Sequence, residues 1–476
     1  MNQFGIEMFK QVHIMKTMTN SINKPLNRLL VASTALIVVA GLGTKCLADN
    51  PVVQTSFTAD PAPMVYSNTV YLYTSHDEDD GRGFHMLDWK CYTTTDMVNW
   101  TDHGSIASLK IFQWARQDND AWAPQCIERD GKFYIYCPVS QTRGGMAIGV
   151  AVSDSPFGPF TDPLGKPLVA GSYDPTVFID DDGQAYLYWG GNGPCYYVKL
   201  NKDMISVSGD THVASIDFTG TPREASYTEG PWFWREKDHY YLAWASRCCP
   251  EGIGYGMSDS PTGPWKCKGT IMDPNNLSSG NHPGILDYKG KSYVFGFNYA
   301  LNWELTDVHR ERRSVCVMEM HYNPDGTIQK VPWFTPEGVA QAGTFNPYAQ
   351  VDAATICYEN GVKTLPRSGE NQGVYVTVND NGAYIKIKGV DFGDQGAAKF
   401  LASVAAVGDG NTITLRLDSE VGTAVGTLKV KSTSALDKWE TQSCNIRGAR
   451  GVHDLYLTFF GNGAPLMNVD WWKFEN

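Results

Sequence analysis

The sequence lacks the features that mark several common classes of protein. Its main apolar run, residues 29–42, holds about 14 residues and is too short to cross a bilayer comfortably. Its 11 cysteines show no paired C-x-x-C spacing, so nothing indicates a structural zinc site. Charged residues make up 19% of the 476 residues, which is too few for a largely disordered chain. We therefore expect a folded protein without a membrane span or a zinc cluster.

Positive charge is also scarce. The formal net charge is −12, and the first 48 residues carry five basic side chains against one acidic side chain, so the remainder carries −16. A chain this acidic is repelled by a phosphate backbone and by an anionic membrane surface. We therefore expect neither nucleic acid nor membrane as a partner, whereas a neutral polysaccharide meets no such barrier.

Residues 1–48 have the order of a secretory signal peptide. Basic residues come first, the apolar run follows, and small residues precede Ala48. The alternative for the apolar run is a buried core helix. The terminal position favours the signal peptide, with cleavage after Ala48, and predicts a secreted or periplasmic protein that we expect to be a monomer.

A repeat is the most informative feature of the chain. When five prolines are aligned, a tyrosine follows each of them by ten or eleven residues, after a short apolar stretch and a polar turn. This order predicts five β-hairpins. The aligned pairs are Pro61 and Tyr71, Pro124 and Tyr134, Pro175 and Tyr186, Pro231 and Tyr241, and Pro283 and Tyr293.

The repeat has a period of roughly 50 to 60 residues, which is typical of propeller blades. A second pair of similar segments, Ser153–Phe160 and Ser258–Trp265, lies two repeat units apart. A parallel β-helix or a sandwich needs a much shorter period or none. We therefore predict an all-β protein with a five-bladed β-propeller at residues 49–341. Short alternating strands bounded by Gly, Asn or Asp then predict a β-sandwich (jelly-roll) at residues 344–476.

Three carboxylic acids occupy similar places next to the repeat prolines. They are Asp60, Asp174 and Glu229, and equivalent places in propeller blades converge on the central axis. One such residue is readily explained as a turn residue. Three like charges that converge raise one another's pKa and indicate a function. Cleavage of a glycosidic bond needs one carboxyl group as acid and a second to assist the attack.

These motifs resemble glycoside hydrolase family 43 over the whole first part of the chain, from ADP through YDPT to YTEGPW. The resemblance implies that Asp60 is the general base, that Asp174 tunes the pKa of the acid and orients it, and that Glu229 is the general acid. It also implies inversion at the anomeric carbon, with a water held between two carboxyl groups roughly 6.5 to 9.5 Å apart. No cofactor is required for this chemistry.

The resemblance also suggests substrate-binding residues. His282 is similar to an axial histidine that commonly lies near a calcium ion or a water, so a structural calcium is compatible with the family; a satisfied core histidine is the alternative. Arg313 stands where relatives often place a substrate-facing arginine, with Arg310 and Arg312 as competitors. Trp122 is either a wall of the sugar pocket or a packing residue.

The C-terminal part resembles a family 6 carbohydrate-binding module. The resemblance rests on VDAAT, GVDFG, TITLRLD, GVHDLYLTFFG and NVDWWKF. Leu436 stands where the family usually has a sugar-stacking tryptophan, while Asn468 retains a second familiar contact. Without the tryptophan ring, we expect the module to bind sugar weakly. We expect it instead to close one side of the catalytic pocket.

The combination of the two resemblances predicts an enzyme that removes α-L-arabinofuranosyl branches from arabinoxylan, a plant cell-wall polysaccharide. A β-xylosidase acting on xylo-oligosaccharides and an arabinanase are the alternatives within the family. A non-catalytic lectin is the alternative from another class. A lectin has no need of three converging carboxylates, so the acidic triplet favours the enzymes.

Overall fold

The computed structural model describes residues 49–278, 281–306, 308–309, 311–368 and 372–476. The predicted signal peptide, residues 1–48, lies outside the described residues. Among those residues, no helix combines the length and the apolar character needed to cross a membrane. The described chain is mainly β-structure, with one α-helix, α1 (Ala300–Leu305), and short 3₁₀ turns at Leu109–Ile111 and Arg223–Ala225.

Residues 57–320 form five sheets in chain order, as far as the described residues show. The first contains β1 (Phe57–Tyr66), β2 (Thr69–Asp77), β3 (Asp88–Thr94) and β4 (Trp100–Ser108). The second contains β5 (Gln125–Arg129), β6 (Lys132–Ser140), β7 (Met146–Ser153) and β8 (Val169–Ala170). The third contains β9 (Thr176–Ile179), β10 (Ala185–Trp189), β11 (Tyr196–Leu200) and β12 (Val207–Val213). The fourth contains β13 (Ile216–Asp217), β14 (Tyr227–Glu236), β15 (His239–Ser246), β16 (Gly252–Ser258) and β17 (Trp265–Met272). The fifth contains β18 (Gly284–Tyr288), β19 (Lys291–Asn298) and β20 (Ser314–Met320).

The hairpins follow from the turn residues in the sequence. Asp130 and Gly131 both have positive φ between β5 and β6, as do Lys289 and Gly290 between β18 and β19. Two consecutive residues with positive φ are what the favoured two-residue hairpin turn requires. The strands on each side then pair in antiparallel register, with the repeat tyrosines on the second strand of each hairpin.

The first hairpin strands of the five sheets form a closed ring. β1 contacts β5, β5 contacts β9, β9 contacts β14, β14 contacts β18, and β18 returns to β1. All five repeat prolines line one small cavity where these strands meet. A closed ring of sheets, each presenting its first hairpin strand to the centre, is the arrangement of a β-propeller.

The C-terminal part is a β-sandwich of two sheets. Alternation along its strands fills the space between them, as in Asn411–Leu417, where every second residue is buried. The first sheet has the order β24 (Val362–Pro366), β25 (Val374–Val378), β32 (Met467–Glu475), β27 (Lys399–Ala405) and β30 (Glu440–Asn445), with β21 (Val351–Asp352) beside β32. The second has the order β23 (Tyr358–Asn360), β26 (Tyr384–Asp391), β31 (Val452–Phe460), β28 (Asn411–Leu417) and β29 (Thr423–Val430).

One strand of the C-terminal part joins the propeller. β22 (Thr355–Ile356) pairs with β4, so that it extends the first sheet by one strand. Polar contacts support this junction: Asp49 binds Lys386 at 2.8 Å, and the buried Asp102 accepts the hydroxyl of Thr364 at 2.7 Å. The sandwich therefore packs on the propeller through backbone pairing and buried hydrogen bonds.

The cysteines act mainly as core residues. Cys248 and Cys249 form a disulfide between neighbouring positions, and the other eight in the described chain are free thiols. Seven of these eight are buried, where a thiol packs as a small hydrophobic group.

Candidate active site

Two acidic residues of the site are held in an uncommon backbone conformation. Asp60 has φ +52° and Asp174 has φ +57°, in the left-handed region, and a proline follows each of them. Asp60 lies where the pairing of β1 with β2 shifts register, so a β-bulge aims its side chain towards the centre. Such conformations cost about 1–3 kcal/mol each and persist where the surrounding structure enforces them. Both positions therefore carry the backbone signature of functional residues.

Glu229 reaches the same place from β14. The pairing of β14 with β15 shifts register on both sides of Glu229, and the next residue, Gly230, has φ +59°. The N–H of Gly230 donates to Asp174 Oδ2 at 3.2 Å. A Cβ atom at Gly230 would lie 2.8 Å from the ring of His282, so only glycine allows this close approach.

His282 lies between the three carboxyl groups. Its Nδ1 is 3.2 Å from Asp60 Oδ1, while its Nε2 is 3.4 Å from Glu229 Oε1 and 3.7 Å from Asp174 Oδ2. Burial lowers the pKa of the imidazole, but the charges of Asp174, Asp60 and Glu229 outweigh burial and raise the pKa to about 10. The ring is therefore a cation at neutral pH, with both nitrogens protonated.

Asp174 retains its proton more readily than an ordinary aspartic acid. Burial is the largest cause, and the negative charges of Glu229 and Asp60 add to it against the opposing charge of His282, so the pKa of Asp174 rises to about 8. The site therefore holds a carboxyl proton near neutral pH, which an acid catalyst requires.

Arg313 joins the site from the start of the last propeller strand. Its guanidinium donates to Asp60 Oδ1 at 3.0 Å and to both oxygens of Asp77, at 2.8 and 3.0 Å. The guanidinium also lies 5.0 Å from the ring of Phe84 and 5.1 Å from that of Phe297. Burial lowers the pKa of Arg313, but Asp60 and Asp77 outweigh it and raise that pKa. Arg313 therefore holds the carboxylate of Asp60 in a fixed orientation.

The sequence did not single out two of the partners of Asp60. The hydroxyl of Ser75 donates to Asp60 Oδ2, and Asp77 anchors Arg313. Both residues lie at the end of β2, and Asp77 is inside the acidic run at residues 76–80. Side chains alternate between the two faces of a strand, so Ser75 and Asp77 lie on the same face of β2. This alternation was the one feature of the sequence that could have indicated them.

The other predicted site residues have different contact partners from those of His282 and Arg313. Trp122 packs edge-on against Tyr173 at 5.5 Å, next to cavity-lining Ala123. Arg312 stacks on Phe57 at 5.5 Å, and Arg310 lies outside the described residues. Asn468 lies in the sandwich, 3% exposed, and its side-chain amide donates to the Leu436 carbonyl at 2.8 Å.

The geometry of His282 does not suit direct coordination of calcium. Both of its ring nitrogens face carboxylate oxygens, so a protonated ring has no lone pair for a cation. Calcium in addition prefers oxygen ligands. No catalytic step is therefore assigned to a metal.

Comparisons with known proteins show which chains this one resembles. The family model described as glycosyl hydrolases family 43 matches residues 48–328, and the model of carbohydrate binding module family 6 matches residues 352–476. An arabinoxylan arabinofuranohydrolase from Paenibacillus polymyxa is 34% identical over 89% of this chain and 74% of its own. One from Bacillus subtilis is 31% identical over 93% of this chain and 94% of its own.

Solved structures are similar as well. The crystal structure of the Bacillus subtilis arabinoxylan arabinofuranohydrolase in complex with cellotetraose has a TM-score of 0.78, 31% identity, and coverage of 90% of this chain and 97% of its own. A β-xylosidase/α-arabinofuranosidase from a compost metagenome, solved with xylotriose, has a TM-score of 0.55, 30% identity, and coverage of 60% and 97%.

The fold and the site define a class of protein: a glycoside hydrolase with a propeller that carries three converging carboxyl groups, followed by a carbohydrate-binding module. The chain belongs to glycosyl hydrolase family 43.

Substitution of Gly230 by alanine tests the close approach of the backbone to His282. We expect Gly230→Ala to lower kcat at least about tenfold, because the added methyl group displaces the imidazole from the carboxylates. Gly209→Ala is the matched control, since Gly209 has φ +80° but no atom within 4 Å of an added Cβ. The control loses stability through its backbone alone and keeps its kcat. Equal kcat values for the two variants would contradict the assignment.

Proposed function

We propose that the protein removes α-L-arabinofuranosyl branches from arabinoxylan with inversion at the anomeric carbon. The observation that carries this proposal is the position of His282, whose ring contacts Asp60, Asp174 and Glu229. The choice of polysaccharide is supported by the two relatives that match both the propeller and the module, since both are arabinoxylan arabinofuranohydrolases.

In the proposed mechanism, Asp60 is the general base that activates a water, and Glu229 is the general acid that protonates the leaving oxygen. Arg313 and Ser75 donate hydrogen bonds to Asp60 and stabilise its negative charge. Asp174 accepts the N–H of Gly230, the residue after Glu229, and so orients the acid, and the raised pKa of Asp174 keeps a carboxyl proton beside it. We place Trp122 in the wall of the sugar pocket, and Arg313 and His282 beside the bound sugar.

Inversion is supported by what separates the base from the acid. Asp60 Oδ1 and Glu229 Oε1 contact different nitrogens of the same imidazole ring, so the two carboxyl groups lie at different edges of that ring. An inverting glycosidase holds its carboxyl groups farther apart than a retaining enzyme does, and positions at different edges of one ring are compatible with the larger separation.

The proposal includes the organisation of the chain. We propose that the five sheets of residues 57–320 are the blades of a five-bladed propeller. The catalytic domain then covers residues 49–341, and the sandwich covers residues 344–476. The protein is exported, with residues 1–48 as its signal peptide, and acts as a secreted or periplasmic monomer. The module supports the propeller at β4 through β22.

A β-xylosidase activity is the second candidate. A β-xylosidase from Xylanibacter ruminicola is 30% identical over 59% of this chain and 98% of its own, and the metagenome enzyme combines both activities in its name. These relatives cover only the propeller part of this chain, which makes xylosidase the weaker choice.

The products released from two substrates test the proposed function. We expect wheat arabinoxylan to yield free arabinose and linear xylo-oligosaccharides to yield no xylose, measured by anion-exchange chromatography. Release of xylose from the linear substrates without arabinose from the polymer would instead support the β-xylosidase.

Substitution of the base and the acid should separate their roles. We expect Asp60→Asn and Glu229→Gln each to lower kcat on arabinoxylan by about 10²- to 10⁴-fold without unfolding the protein. A 4-nitrophenyl arabinofuranoside has a leaving group that needs little protonation, so it should partly rescue Glu229→Gln but not Asp60→Asn. Near-native activity of both variants on the polymer would refute the assignment.

Substitution of Asp174 tests its partnership with Glu229. Asn at this position removes one of two interacting carboxyl groups, so the remaining acid meets less like charge and loses its proton at lower pH. We expect the basic limb of the kcat/KM profile to move to lower pH, and the acidic limb to move much less. A basic limb that stays in place would leave Asp174 with the role of a turn residue.

A further inference from the structure

A fourth buried carboxyl group lies beside the active site. Glu251 is 1% exposed and belongs to the segment between β15 and β16, where the Cys248–Cys249 disulfide also lies. β15 pairs antiparallel with β14, the strand of Glu229. The last residues of β15 therefore lie beside the first residues of β14. None of the roles given above to the other carboxyl groups accounts for Glu251.

Glu251 binds the backbone directly before His282. Its Oε2 accepts the N–H of Asn281 at 2.8 Å, and the side chain of Asn281 accepts the N–H of Phe297 at 3.1 Å. The ring of Phe297 in turn packs 6.3 Å from that of His282. Asn281 is therefore fixed at its backbone by Glu251 and at its side chain by β19. A Cβ atom at Gly296 would lie 2.3 Å from Asn281 Oδ1, which shows how closely these elements pack.

The second oxygen of Glu251 is unusual. Oε1 is buried and has no hydrogen-bond partner among the described residues. An unpaired, buried carboxylate oxygen is costly, so the folded protein favours the neutral carboxyl. Burial is the largest cause that raises the pKa of Glu251, to about 7; Glu229 and Asp60 add to it and His282 opposes it. These three groups are the charges that face Glu251 from β14, β1 and the start of β18.

We propose that Glu251 is a positioning residue of the active site, which fixes the Asn281–His282 backbone and so sets where the imidazole stands between Asp60 and Glu229. The inference rests on the proposed roles of Asp60 and Glu229. Glu251 touches neither the substrate nor the reacting atoms, and it acts through the hydrogen bond to Asn281 and through its charge.

The sign of the charge effect follows from the position of Glu251. Below about pH 7 its carboxyl is neutral, and above that pH it adds a negative charge near Glu229. A nearby negative charge disfavours loss of a proton by another acid. Ionised Glu251 therefore extends the pH range over which the site keeps the proton needed by the leaving group.

Two variants of the full-length protein test the hydrogen bond and the charge separately. Glu251→Gln keeps an oxygen that accepts the Asn281 N–H, so we expect a kcat within about threefold of wild type at pH 5.5, and a basic limb that moves to lower pH. Glu251→Ala removes the acceptor, so we expect kcat to fall about tenfold to hundredfold with a smaller change in KM. Glu224→Gln, at a half-exposed residue paired with Arg247, is the control and should match wild type.

The outcomes are distinct. A basic limb of Glu251→Gln that coincides with that of wild type overturns the charge effect, and a wild-type kcat for Glu251→Ala overturns the positioning role. If Glu251→Ala does not fold by circular dichroism, Glu251→Asp, which keeps the charge but shortens the side chain by one methylene group, tests the positioning role, and a wild-type kcat overturns it. Failure of the proposed function is seen separately, because Asp60→Asn and Glu229→Gln then retain activity.

Discussion

The site depends on one cation held among carboxyl groups, the protonated imidazole of His282. Two cations, His282 and Arg313, face five acids: Asp60, Asp77, Asp174, Glu229 and Glu251. Two positive charges cannot balance five negative ones in a buried environment, so some of the acids keep their protons. Burial is the largest cause of the pKa values of about 8 for Asp174 and about 7 for Glu251, and the neighbouring negative charges add to it. The acids that surround the single imidazole thus leave the site with carboxyl protons near neutral pH.

The backbone is arranged to keep these groups together. Asp60 and Asp174 adopt positive φ, Gly230 is required beside His282, and the repeat prolines line the cavity between them. Proline has no N–H to donate to a neighbouring strand. The register shifts in β1 and β14 accordingly lie at or next to a repeat proline. The backbone strain is confined to these positions. The first hairpin strands resist it together, because they form a closed ring around the whole propeller.

The sequence predicted the hairpins because proline, turn residue and tyrosine recur at a fixed spacing, and local turn chemistry decides such pairing. It also predicted that Asp60, Asp174 and Glu229 would meet, because equivalent places in a repeat converge. It did not predict Asp77 as the anchor of Arg313, because the two residues are 236 positions apart and no local pattern connects them. Glu251 has no repeat equivalent and no motif. The pairing of β22 with β4 is a contact of two residues across some 250 positions, which no local pattern encodes.

That long-range pairing explains how the module serves the propeller without relying on its sugar cleft. β4 is the outer strand of the first sheet, and β22 covers an edge that would otherwise expose unpaired backbone groups. Lys363 of β24 also donates to the carbonyl of Thr55 and lies 3.5 Å from Asp79, two residues after the Asp77 that binds Arg313. The sandwich therefore contacts the segment that follows Asp77, and these contacts involve protein groups alone.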